Sequence, residues 1–106
     1  MDITILNSSV LSVYGIFVLQ AISLSDAKKL VKRSQVFSVI GHSATAEILT
    51  ELLEIKVFAN RIEYSQPINT TALVFKLKSR IPEGKILSRA EIEEIGYEFG
   101  ILRRLK

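Results

Sequence analysis

The apolar residues of this chain switch repeatedly between a two-residue and a helical period, and no run of either kind is long. "ITIL" (Ile3 to Leu6) and the stretch from Ile16 to Ile22 are β-type runs. Ser23 or Ser25 can then cap a helix with Ala27, Leu30 and Val31 on one face and Lys28, Lys29, Lys32 and Arg33 on the other. "VFSVI" (Val36 to Ile40) reads as a buried strand, and Gly41-His42 opens a helix whose stripe is Ala44, Ile48, Leu49, Leu52 and Leu53. "TALVFKL" (Thr71 to Leu77) is the strongest β-type run, Ser88-x-x-Glu91 is a capping box over Ile92 and Ile95, and "YEFGILRRL" returns after Gly96 as an edge strand. The order β-β-α-β-α-β-α-β predicts an α/β (α+β) fold, a single mixed sheet of about five strands with helices packed on it. At 106 residues this is one domain, residues 1–106.

Composition narrows the chemistry. There is no cysteine and one histidine, which excludes thiolate catalysis and disulfides and argues against a structural zinc site. Neither a secretion signal nor an anchor is expected: the N-terminus lacks a basic region before an apolar run, and Ser12, Tyr14, Gly15 and Gln20 interrupt "VLSVYGIFVLQAI". The expected location is therefore the cytoplasm, that of the host cell if the chain is viral. A net charge of +3 suits an anionic partner, although the basic clusters at Lys28–Arg33 and Arg103–Lys106 also read as solvated faces.

Two stretches carry candidate chemistry. A strand that ends in Gly41-His42 and feeds a helix puts the histidine beside the free N–H groups of the first helical turn, where the helix dipole favours an anion. Gly41 permits close backbone approach to a ligand, and Ser43 and Thr45 add hydroxyl donors. In "FKLKSRIPEGK", Lys76, Lys78 and Arg80 share one face of a strand end, and Glu83 follows in a turn made by Pro82 and Gly84. Histidine for proton transfer, arginine for charge stabilisation and glutamate to hold a partner would suit metal-free phosphodiester cleavage.

"IGHSATAEILTELL", Asn60-Arg61, "LVFKLKSRIPEGKIL" and "EIEEIGYEFG" resemble, in order and spacing, the viral ring nucleases that serve as type III anti-CRISPR proteins. The likeness runs from about Val36 to Gly100 and includes "ILNSS" near the start. It implies a homodimer without a metal or other cofactor and without a stable heterologous protein partner. Such a dimer binds cyclic tetra-adenylate across its two-fold axis and cuts the ring to linear di-adenylates with 2′,3′-cyclic phosphate ends. The catalytic histidine, arginine and glutamate of that family fall on His42, Arg80 and Glu83. Its phosphate-contacting arginine falls on Arg61 and its first-loop asparagine on Asn7, with Lys76, Ser12, Ser43 and Thr45 as weaker correspondences. Two departures lie in connections: Glu54 stands where many relatives have glycine, and Ile68-Asn69-Thr70 replaces a Gly-Asp-type turn.

Two other functions use the same basic residues. One is a non-catalytic module that sequesters a cyclic oligonucleotide or RNA, with His42 only a hydrogen-bond donor. The other is a viral DNA-binding dimer that uses the helix from Lys28 to Arg33.

Overall fold

In a computed structural model describing residues 2–8, 11, 13–79 and 87–106, alternation in the first strand, β1 (Asp2–Leu6), sorts the two sides of a sheet. Ile3 and Ile5 point into the main core, and Leu6 belongs to a smaller cluster with Ala72, Val74 and Leu102 on the opposite face. The remaining strands are β2 (Phe17–Ile22), β3 (Gln35–Ser38), β4 (Thr71–Leu77) and β5 (Tyr97–Arg104), in the spatial order β2-β5-β4-β1-β3. Strand β1 runs parallel to β3 and β4, whereas β5 is antiparallel to β4 and β2. This is the single mixed five-stranded sheet that the order of apolar runs predicts.

Three helices cover one face. In α1 (Leu24–Lys32), Ala27, Leu30 and Val31 are buried, and the Ser23 hydroxyl caps the start by accepting from Asp26 N at 3.1 Å. Helix α2 (Ser43–Leu53) buries Ala46, Ile48, Leu49, Leu52 and Leu53 and leaves Ala44 half-buried. It packs against α1 and against α3 (Arg89–Ile95), whose capping box on Ser88 and Glu91 is formed and whose end is marked by Gly96 at φ 84°. Beneath the helices Phe75, Tyr97 and Phe99 form an aromatic cluster, with the Phe75 and Phe99 rings 5.2 Å apart.

Two strands sit elsewhere than their composition suggests. The run "YEFGILRRL" forms an interior strand, bonded to β4 on one side and β2 on the other. Its arginines look like edge residues but find partners around the strand: Arg103 donates to Gln20 Oε1 of the neighbouring β2 at 3.0 Å, and Arg104 donates to the carbonyls of Gln66, Lys106 and Tyr14. Conversely, "VFSVI" is an edge, pairing only with β1 and ending at Ser38, so Phe37 is 49% exposed on the helix-free face. Ile40, beyond the strand, is the fully buried member of that run.

Candidate functional site

Parallel pairing brings the carboxyl ends of β1 and β3 side by side, and the chain leaves them through Asn7 and through Gly41-His42. The other wall is built by residues 55–70, which have no helix or strand. Side chains and isolated backbone bonds fix that stretch instead. Thr50 Oγ1 accepts from Val57 N at 2.9 Å. Asn60 bonds to the Ser38 and Ile40 carbonyls. The buried Gln66 amide donates to Thr70 O and Leu102 O. Between the last two anchors, Arg61 to Ser65 close a cleft of about 890 Å³ over the helix-free face, together with Leu6, Asn7, Val39 and His42.

His42 is the N-cap residue of α2, with extended backbone angles (φ −128°, ψ 130°), but its imidazole makes no capping hydrogen bond. The ring is exposed and has no side-chain partner among the described residues. The first backbone bond of the helix is Ala46 N to His42 O, which leaves the N–H groups of Ser43, Ala44 and Thr45 without a helical acceptor. At the other two helix starts a serine side chain and a first-turn carboxylate, Asp26 or Glu91, answer the dipole. Helix α2 has neither. Among the described residues its positive end therefore meets the cleft without a capping side chain or a first-turn carboxylate, an arrangement that favours an anion.

Arg61 comes from the irregular wall and lies against Gly41, where a Cβ would sit 3.5 Å from its Cγ. No ion pair holds its guanidinium among the described residues. One arginine, one histidine and a free helix start thus share the cleft with Asn7, and Ser43 and Thr45 belong to the same helical turn. This can bind a phosphodiester and bring a proton donor to it. Glu63 is the one carboxylate lining the cleft among the described residues, and Tyr64 packs half-buried against the Leu6 cluster. Sequence reasoning overlooked both. The signal was the alternation in "RIEYSQ", where Tyr64 and Gln66 turn inward and Glu63 and Ser65 outward.

Lys76 is not in this cleft. It lines a second one of about 730 Å³ over β2, β5 and β4, with Lys78, Tyr97 and Glu98. There the Tyr97 hydroxyl donates to Glu93 Oε1 at 3.2 Å, and burial, together with that carboxylate, raises its pKa above the ordinary phenol value. Ser12, Arg80 and Glu83 lie outside the described residues. Among the described residues no group of three or more His, Asp or Glu side chains could hold a metal ion, and no helix is long and apolar enough to cross a membrane.

The fold has a close match in B116 of Sulfolobus turreted icosahedral virus, with a TM-score of 0.80 over 97% of this chain and 99% of that one, at 20% identity. Sequence relatives are YddF of Bacillus subtilis (strain 168), 34% identical over 99% of both chains, and ORF117 of Acidianus two-tailed virus, 34% identical over 85% of this chain and 80% of that protein. Protein 26 of Sulfolobus islandicus filamentous virus (isolate Iceland/Hveragerdi) is 34% identical over 72% of this chain and 65% of its own length. The STIV B116-like family matches residues 3–99, so the chain belongs to that family, which has members in archaeal viruses.

Proposed function

We propose that this protein is a metal-independent ring nuclease that cleaves cyclic tetra-adenylate to linear di-adenylates with 2′,3′-cyclic phosphate ends and so inhibits type III CRISPR immunity. The observation that carries the reading is the convergence of His42, Arg61 and the uncapped start of α2 on one cleft among the described residues. RNA brings its own nucleophile. The ribose 2′-oxygen attacks the adjacent phosphorus, the bond to the 5′-oxygen breaks, and the proton lost from the 2′-hydroxyl is matched by one delivered to the departing oxygen. Neither water nor a metal ion enters that balance. The protein has to hold the phosphodiester in line, stabilise its charge and deliver the proton.

In this scheme the N–H groups of the first α2 turn and the Arg61 guanidinium hold the phosphate, and His42, whose ring makes no capping bond to α2, supplies the proton. Arg80 and Glu83 take their roles from the ring-nuclease resemblance: charge stabilisation and orientation of the imidazole. The protein acts as a homodimer on a symmetric ring, so a two-fold axis offers His42 to two opposite phosphates and two cuts release two di-adenylates. Incubating cyclic tetra-adenylate with the protein and a chelator tests this. Di-adenylates with cyclic phosphate ends are expected. An intact ring at equimolar protein overturns catalysis, and tight binding of an intact ring identifies a sequestering module instead.

A further inference from the structure

Arg61 reaches the cleft from a segment with no regular pairing, whereas His42 reaches it from the end of β3, so something must register one against the other. The contact between the two segments is made by Asn60. Its backbone N–H donates to Ile40 O at 2.7 Å, and its Nδ2 donates to Ser38 O at 3.0 Å. Val39 N is bonded to Ile5 O, so Ser38 and Ile40 present their carbonyls on the side of β3 away from β1, where the sheet supplies no further strand. Ser38 Oγ meanwhile accepts from Ile40 N at 3.2 Å. Asn60 thus completes the β3 exit from outside, in place of a sixth strand.

The spacing along both segments is tight. Ile40 precedes Gly41-His42 and Asn60 precedes Arg61, so the Ile40–Asn60 bond leaves the Arg61 stem in contact range of Gly41. A side chain in this position must donate to a carbonyl while its own backbone N–H is engaged two residues further on. Asparagine does this, and aspartate, with no amide N–H, does not.

We propose that Asn60 is a positioning residue that sets Arg61 in register with His42 and the α2 start, and through Arg61 governs ring affinity. The effect on affinity rests on the ring-nuclease reading; the registration is a property of the chain. Calorimetric titration of cyclic tetra-adenylate into proteins that all carry His42→Ala, which keeps the ring intact, reads the effect. Asn60→Ala and Asn60→Asp should each weaken binding about 5- to 10-fold, the scale of one hydrogen bond. In an Arg61→Ala background the same changes should add less than about twofold, because the residue they position is gone. An equal loss in both backgrounds overturns the proposal, since that is what general loosening of the fold produces. Hydrogen exchange on the ring-free protein decides the registration independently. Asn60→Ala should speed exchange at the Asn60, Arg61 and Ile62 amides and leave α2 and β4 unchanged. Unaltered exchange at those amides overturns the registration, whereas failure of the His42→Ala protein to bind the ring counts against the ring-nuclease reading and leaves the exchange result to stand by itself.

Discussion

His42 occupies a position that helix chemistry normally gives to serine, threonine, asparagine or aspartate, and it does not perform their task. Its side chain accepts nothing from the α2 backbone, so removing it should cost the fold little. His42→Ala is expected to melt within a degree or two of the parent, well short of the ~0.5–2 kcal/mol lost with a true cap. The same variant should lose about 10²- to 10⁴-fold in single-turnover ring cleavage while binding the ring almost normally, because a proton donor acts in the transition state. Differential scanning calorimetry and quenched-flow cleavage on one preparation read both quantities. A large fall in melting temperature with normal cleavage by the folded fraction would make His42 structural.

Among the elements, helix α2 also has an unusual end. Its C-cap is Glu54 in the left-handed region at φ 58°, where a glycine carries no Cβ penalty. The glutamate gains a partner in exchange: it forms an ion pair with Lys28 of α1, and that hydrogen bond, with the nearby positive charges, lowers its carboxyl pKa. A lowered folded-state value means that the pair stabilises above the unfolded pKa and is lost as pH falls through the folded one. Glu54→Gln should therefore melt below the parent at about pH 7 and together with it at about pH 3, while Glu54→Gly melts above the parent at the acid end, where only backbone relief remains. A melting series across that range checks the sign. At this scale the sequence is highly legible: the Ser88 capping box, the β4 bounds and the Gly96 stop follow from local pattern, and the α1 cap is the first of the two serines that pattern offers, Ser23. Strand order does not. Whether β3 or β5 lies at an edge depends on partners distant in sequence, which local periodicity does not encode.

For the whole molecule the same limit explains the site. Gly41-His42 is legible as a strand-to-helix junction, but its meeting with Arg61 is made by a segment that forms no helix or strand, held by isolated bonds from Thr50, Asn60 and Gln66. The homodimer is a further whole-molecule expectation: sedimentation should give twice the mass of the chain, and titration should give one ring per two chains. A monomer that binds the ring at full affinity would contradict the shared cleft. The interior placement of β5 bears on biosynthesis as well. Phe17 pairs with Arg104 and Ile22 with Phe99, so β2 emerges from the ribosome early and has no strand to join until nearly all of the described chain has followed. At about 5–20 residues per second, β2 spends some seconds as an unpaired apolar strand, exposed to chaperones and to other nascent chains. The sheet is accordingly closed only once β5 has emerged, pairing with β4 on one side and with the waiting β2 on the other.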